Sequence, residues 1–164
     1  MLKEKKGFTL VELTVVIAIL GILVSLSIPS FMRVRGIVRQ TIMKHAIKTV
    51  YNYERLNFFE TGLYFPDNGD YWGYLVVNPD NSCYPEDIEL EKLPFKFPQK
   101  SRYLYYVFWY KWFTYDYICV YGIASVWDGN DLDGDWGYDF WYVDNYQEEP
   151  YPISNDLAND NYYW

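Results

Sequence analysis

The residue with the clearest chemical role is Glu12, a carboxylate near the start of a long apolar segment. No charged side chain occurs from Leu13 to Met32. A helix needs roughly 20 such residues to span a bilayer. An acid at the centre of a membrane helix costs about 3 kcal/mol, so Glu12 is a candidate functional residue in need of a cationic partner.

A short Asp- and Gly-rich stretch near the C-terminal third is a candidate cation site. Its acidic residues are Asp128, Asp131, Asp133 and Asp135. Calcium binds several oxygen ligands on loops of this kind. The spacing does not match an EF-hand, because Gly129 takes the first ligand position and Phe140 the last. Two interpretations stay open: a calcium site, or a solvated turn in which the aspartates bond their own backbone.

The two cysteines, Cys83 and Cys119, permit one intramolecular disulfide. Oxidation is favoured if this part of the chain lies outside the cytoplasmic membrane. We expect a Cys83–Cys119 bridge that ties a proline-rich connection to a central strand. The spacing alone does not show that the two residues meet.

The chain shows no catalytic signature. The phosphate-binding Gly-Lys-Ser loop, the Gly-x-Ser-x-Gly elbow and the His-Glu-x-x-His motif are all absent, and His45 lies among basic residues without a metal-binding pattern. A glycosidase would need two acids held across a cleft, and the numerous acids here identify no such pair. We therefore predict no enzymatic activity and no cofactor apart from the calcium considered above.

Charge divides the chain into two parts. The formal net charge is −8, yet residues 33–55, here called the basic stalk, carry six basic residues against one acid. From Asn57 onward there are 19 acidic and 5 basic residues. This acidic portion argues against nucleic acid as the main partner, because phosphate binding needs clustered cations. We expect the basic stalk to approach phospholipid head groups, or the acidic portion of its own chain or of a neighbouring copy.

The spacing of apolar residues predicts one long helix over residues 9–59. Its first half is apolar on all sides, and its second half is amphipathic. The predicted apolar stripe is Val34, Val38, Ile42, Ala46, Val50 and Tyr53. Gly21 and Pro29 weaken the helix locally, since glycine has low helix propensity and proline lacks an amide hydrogen. Gly62 is the expected stop.

The rest of the chain predicts an antiparallel sheet behind a proline-rich connection. Strands are expected at residues 103–110, 115–124 and 139–144, with a short extended piece at 71–77 and a turn at 111–114. An acidic tail follows from residue 146. The 19 tyrosines and 7 tryptophans favour an aromatic core for this sheet.

The N-terminal residues carry a resemblance to a known family. Lys5-Lys6-Gly7 precede Phe8-Thr9-Leu10-Val11-Glu12-Leu13, and Gly21 and Pro29 follow. This opening resembles the type IV pilin family, including the pseudopilins of type II secretion. A looser resemblance lies at the other end, where an Asp/Gly loop precedes a strand that contains Trp141 and ends in Asp144.

The resemblance implies an α+β fold, with a long N-terminal helix packed against a small antiparallel sheet. It implies a leader over residues 1–7, a membrane and assembly helix over 8–32, an amphipathic helix over 33–60 and a head over 61–164. A membrane peptidase and N-methyltransferase would cleave after Gly7 and methylate Phe8. Glu12 would then pair with the Phe8 amine of a neighbouring copy, and the helix between Gly21 and Pro29 would lose helicity on assembly.

The function implied is that of a filament subunit, assembled by pilus machinery as a homopolymer. The chain would lie in the cytoplasmic membrane before assembly and in an extracellular pilus afterwards. Two alternatives remain open at this point: a pseudopilin of a type II secretion system, and a membrane-tethered binding module that does not assemble.

Overall fold

The computed structural model describes residues 9–66, 71–80, 82–86, 88–90, 93–98, 102–112, 115–124, 139–155 and 157. Within them, a long helix, α1 (Leu10–Thr61), packs on a six-stranded antiparallel sheet. The strands are β1 (Trp72–Val77), β2 (Cys83–Tyr84), β3 (Leu104–Trp112), β4 (Tyr115–Ala124), β5 (Asp139–Asp144) and β6 (Tyr151–Ser154). The predicted α+β fold is confirmed.

The C-terminal end of α1 follows the predicted glycine stop. Gly62 has a φ of +76°, and its N–H donates to the carbonyl of Phe58 at 2.8 Å. Glycine adopts this left-handed conformation without the steric cost that other residues bear. The helix therefore ends at Thr61, two residues beyond the predicted end at Phe59.

The sheet has the order β2-β1-β3-β4-β5-β6, and every neighbouring pair is antiparallel. The three main predicted strands are present, and β5 has the predicted bounds. β3 continues through Lys111 and Trp112, which were predicted to lie in the turn. The edge strands β2 and β6 were missed, because one has two residues and the other contains Pro152 within the predicted tail.

The core lies between α1 and one face of the sheet, mainly β4 and β5. Alternate strand residues point towards the helix, as the two-residue period of a strand requires. The largest buried side chains here include Met43, Ile47, Tyr103, Tyr105 and Ile118. At Gly122 of β4, an added Cβ would overlap the side chain of Met43, so this glycine lets the helix approach the sheet closely.

The predicted apolar stripe on the helix was wrong at its beginning. Ala46 and Val50 are buried, but Val34, Val38 and Ile42 are 56%, 51% and 47% exposed. A helix advances 100° per residue, so a stripe followed in strict four-residue steps rotates by about 120° between residues 34 and 46. The sheet covers only the later part of that rotating stripe.

The aromatic residues occupy both faces of the sheet. Tyr105 and Trp109 lie in the core, as predicted. The opposite face carries a row of tyrosines, at least one on every strand, and neighbouring rings lie 5.5–6.3 Å apart. This tyrosine row consists of Tyr84, Tyr74, Tyr106, Tyr121, Tyr142 and Tyr151. Such cross-strand ring contacts stabilise the pairing of the strands.

Candidate functional site

Glu12 lies in the first turn of α1 and is folded back on the residue that caps the helix. Thr9 Oγ1 accepts a hydrogen bond from the Glu12 amide at 3.2 Å. Glu12 Oε2 in turn accepts bonds from the Thr9 amide at 2.9 Å and from the Thr9 hydroxyl at 2.8 Å. This reciprocal arrangement is a capping box, which satisfies amides that lack partners within the helix.

The capping box leaves one carboxylate oxygen of Glu12 available to accept a further hydrogen bond. Both main hydrogen bonds use Oε2, and no described residue bonds Oε1. The side chain is exposed, so a cation from outside this subunit can reach it. Sequence reasoning missed the cap, although Thr9-Leu10-Val11-Glu12 matches its Ser/Thr-x-x-Glu signature.

The helix around Glu12 offers an extensive apolar surface. Among the described residues, α1 is long and apolar enough to cross a membrane, and no part of its most apolar stretch is buried within the structure. Leu10, Ile17, Leu23, Leu26 and Phe31 are each more than half exposed. Exposed apolar area of this extent marks a surface that lipid or other protein must cover.

Gly21 and Pro29 both lie inside α1, which runs through them without interruption. A Cβ at Gly21 would have no neighbour within 4 Å. Pro29 removes the amide that would donate to the carbonyl of Ser25. The loss of helicity that the resemblance implies for this segment stays a prediction.

Two groups of predicted site residues lie outside the described residues. They are the processing residues Gly7 and Phe8, and the candidate calcium ligands Asp128, Asp131, Asp133 and Asp135. Among the residues that the structure describes, no group of three or more His, Cys, Asp or Glu side chains could hold a metal ion. Calcium binding by the aspartate loop therefore stays a prediction.

The predicted Cys83–Cys119 disulfide is not formed. Cys83 is on β2 and Cys119 on β4, with β1 and β3 between them. Strands are about 4.8 Å apart, so three strand spacings exceed the roughly 7 Å that a disulfide tolerates between Cα atoms. The Cys83 thiol instead donates to the carbonyl of Ile88 at 3.2 Å. Cys119 is fully buried on the tyrosine face, and burial raises the pKa of its thiol to about 11.

A buried polar network attaches α1 to the sheet. The carboxylate of Asp139 accepts bonds from Gln40 Nε2 at 2.9 Å, from Trp141 Nε1 at 2.7 Å and from the hydroxyl of Tyr103. Lys44 lies 3.3 Å above the Trp141 ring and also donates to Gln40. Burial raises the pKa of Asp139, and its three hydrogen bonds oppose that rise. This network joins the helix to β5 and to Tyr103, the residue just before β3.

Glu54 is a second buried acid on α1, with no exposed surface. Its Oε2 accepts a bond from the Phe65 amide at 2.8 Å, whereas Oε1 has no partner among the described residues. Burial raises the pKa of Glu54 to about 8, although the Phe65 bond acts in the opposite direction. Neither acid was singled out from sequence, because nothing local distinguishes them from surface acids.

Among the described residues, two ion pairs join the basic stalk to the acidic head, as expected. Lys48 pairs with Glu149 at 3.0 Å, and Arg55 pairs with Asp116 at 3.1 Å. Tyr64 also donates to Asp116, at 2.6 Å. Both ion pairs lie within one chain, so the alternative of contact with its own head is confirmed for the later half of the stalk.

Comparison with known proteins finds a matching family model and a similar protein. A family model described as the prokaryotic N-terminal methylation motif matches residues 2–28. The type IV major pilin protein PilA of Myxococcus xanthus is 32% identical over 89 residues, which cover 49% of this chain. These findings support the type IV pilin family. The resemblance stated from the sequence is thus confirmed.

The match to that major pilin is partial. It covers 40% of the length of the Myxococcus protein. No solved structure gives a significant match to this chain. Support for the pilin family therefore comes from the methylation motif and the aligned 89 residues, and the helix-and-sheet architecture agrees with the fold that the resemblance implied.

Proposed function

We propose that this chain is a filament-forming type IV pilin, polymerised through its N-terminal helix. The observation that carries the proposal is the helix from Leu10 to Met32, apolar and uncovered by the head, with Glu12 as its only charged residue. Lipid would cover this surface before assembly, and the helices of other copies would cover it afterwards. Its role would be structural, and no turnover of a substrate is proposed.

Processing is the first part of the proposal. A prepilin peptidase would cleave after Gly7, and the new first residue, Phe8, would be N-methylated. The methylation-motif match over residues 2–28 supports this. Mass spectrometry of material from the cell surface should find peptides that begin at methylated Phe8. Peptides that retain Met1 or Leu2 in assembled material would contradict the proposal.

Pairing of Glu12 is the second part. Once residues 1–7 are removed, the amine of Phe8 is the cation nearest in sequence to this carboxylate. An unpaired acid among packed apolar helices is costly, and a salt bridge to the Phe8 amine of a neighbouring copy would relieve that cost.

Glu12→Gln is the sharpest variant for this pairing, because the amide oxygen can still accept the bond from Thr9 while the charge is lost. We expect normal membrane insertion and a strong loss of filaments. Glu60→Gln, an exposed acid on the same helix, is the matched control and should assemble normally. If Glu12→Gln assembles normally and Glu12→Ala does not, the carboxylate acts as a helix cap and the pairing proposal is wrong.

The localisation follows from the same helix. The chain would reside in the cytoplasmic membrane, be extracted by pilus assembly machinery and end in an extracellular filament. A type II secretion pseudopilin is the second candidate, and the same N-terminal motif supports it. Sheared cell-surface material separates the two, because a pilin is abundant there and a pseudopilin is not.

A further inference from the structure

Arginine residues gather where the apolar helix enters the head. Arg33, Arg35 and Arg39 lie within the first seven residues after Met32, the last residue of the uncharged run. Arg35 and Arg39 are four residues apart and share a face of α1. Arg102, just before β3, lies close enough to act electrostatically on Arg39. We call these four residues the arginine collar.

The three collar arginines on α1 differ from two later basic residues of the stalk in their partners. Lys48 and Arg55 pair with acids of the head. Among the described residues, no such ion pair involves Arg33, Arg35 or Arg39. Burial lowers the pKa of Arg39, and the charges of Arg102 and Arg35 lower it further. Cations that repel one another at one place create a site for an anion.

The depth of the collar matches the head-group layer of a bilayer. The polar layer outside the hydrocarbon core is roughly 5–8 Å thick on each side. A helix rises about 1.5 Å per residue, so Arg33, Arg35 and Arg39 lie about 1.5, 4.5 and 10.5 Å beyond Met32 along the helix axis. The guanidinium of Arg35 lies 5.8 Å from the centre of the Phe31 ring, which lies one helical turn back, inside the apolar run. The long side chains can therefore reach phosphate groups at that level.

We propose that the arginine collar binds the phosphate groups of anionic phospholipids while the subunit is inserted in the membrane. Guanidinium groups form paired hydrogen bonds with phosphate. Arginine residues therefore bind a lipid phosphate more specifically than a diffuse positive surface would. The proposal rests on the membrane insertion of the proposed function, but not on polymerisation. It also holds for either orientation of the helix, because it requires only the boundary between apolar run and head.

Lipid binding would also explain why the collar arginines occur at a position that the positive-inside rule disfavours. Basic residues normally accumulate on the cytoplasmic side of a membrane helix. If residues 33 onward lie outside, the collar stands on the opposite side. Before assembly, lipid phosphate would offset the positive charge of the collar. On extraction into a filament, the collar would lose these lipid contacts and would need new ones.

The test uses the full chain reconstituted as unpolymerised protein in phosphatidylcholine vesicles. Spin-labelled phosphatidylglycerol and spin-labelled phosphatidylcholine are compared for the fraction immobilised at the protein. Each basic residue near an anionic surface contributes modestly, so we expect the anionic lipid to be favoured roughly threefold to tenfold. Raising the ionic strength should reduce the preference.

Two double variants remove equal charge from the same helix. Arg35→Gln with Arg39→Gln should abolish most of the preference for phosphatidylglycerol. Lys48→Gln with Arg55→Gln is the matched control and should retain it, because these residues are engaged with the head. Glu12→Gln should retain it as well, which keeps this result separate from any failure in filament assembly.

Four outcomes would overturn the proposal. Equal immobilisation of the two lipids by the unmodified chain would show that the collar does not select anionic lipid. Equal losses in the two double variants would show an effect of net charge without a site. Unchanged lipid preference in Arg35→Gln with Arg39→Gln, together with a loss of filaments, would assign the collar to the acidic surface of a neighbouring copy. A chain that fails to insert into vesicles at all would remove the proposed membrane stage too.

Discussion

At the scale of single residues, Glu54 shows how burial changes the protonation of a carboxyl group. Its carboxyl has no exposed surface and one oxygen without a described partner, so the protonated form is favoured in the folded state. Because the folded pKa of about 8 lies above the ordinary value of 4.5, the folded state binds a proton more tightly than the unfolded state. Because proton binding and folding are coupled, the free energy of unfolding must fall as the pH rises between these two pKa values.

Glu54→Gln should remove that contribution. The free energy of unfolding of the unmodified chain should fall relative to the variant from about pH 4.5 to about pH 8, by up to about 1.4 kcal/mol per pH unit, with no further change above. Urea unfolding of the detergent-solubilised chain, followed by tryptophan fluorescence, measures the difference. Glu60→Gln, which removes an exposed acid from the same helix, is the matched control. A constant difference between Glu54→Gln and the parent chain would refute the account.

The cysteines give a second prediction for single residues. Cys119 is fully buried and the pKa of its thiol is raised to about 11, so little reactive thiolate forms near neutral pH. Cys83 is only partly buried. Iodoacetamide should therefore label Cys83 before Cys119 in the native chain, and both equally after unfolding. An intact mass 2 Da lower than the reduced chain would instead reveal the bridge expected from sequence.

At the scale of elements, close contacts set how β1 and β3 meet. Gly73 of β1 faces Trp109 of β3, and a Cβ at residue 73 would lie 2.5 Å from Cζ2 of the indole ring. Trp109 is 3% exposed, and its Nε1 has no described partner. The small residue on β1 therefore makes room for a large rigid ring on β3.

Gly73→Ala should destabilise the head by about 1–3 kcal/mol, because the ring cannot move without repacking the core. Combined with Trp109→Phe, its cost should be lower than in the parent chain, since phenylalanine frees space and removes an unpaired N–H. Urea unfolding of the four chains in a double-mutant cycle measures the coupling. Gly21→Ala, where the new methyl meets nothing within 4 Å, is the control for head stability. Additive effects would show that the two residues are independent.

At the scale of the whole molecule, one face of α1 packs on the head and another face is exposed. Val38 and Ile42 were expected to pack on the sheet, yet both are about half exposed and continue the apolar surface of the N-terminal half. Their position on the uncovered side makes them part of the surface that the proposed filament would bury.

Val38→Gln with Ile42→Gln should therefore leave the stability of the head within about 0.5 kcal/mol, because exposed substitutions rarely matter to folding. Filament yield in sheared surface material should fall, since polar groups would enter the packed helices. Thr49→Gln, already exposed and polar, serves as the matched control. Reduced head stability together with normal filament yield would show that these residues serve the fold and not assembly.

The sequence by itself determined the elements whose signals are local. The apolar run, the glycine stop at Gly62 and the bounds of β5 could each be read from a few neighbouring residues, because helix length, backbone conformation and strand propensity are local properties. The Glu12 cap belongs to the same class, although its signature was overlooked. The type IV pilin resemblance rests on such local residues as well.

Only the tertiary structure decided which residues meet. Cys83 and Cys119 are separated by two intervening strands, and strand order is not encoded in spacing. Asp139 and Gln40 are 99 residues apart in sequence, yet they share a buried hydrogen bond. The side of α1 that faces the sheet depends on rotation accumulated along the helix and on where β4 and β5 lie. These contacts depend on how distant elements pack together, so no short stretch of sequence specifies them.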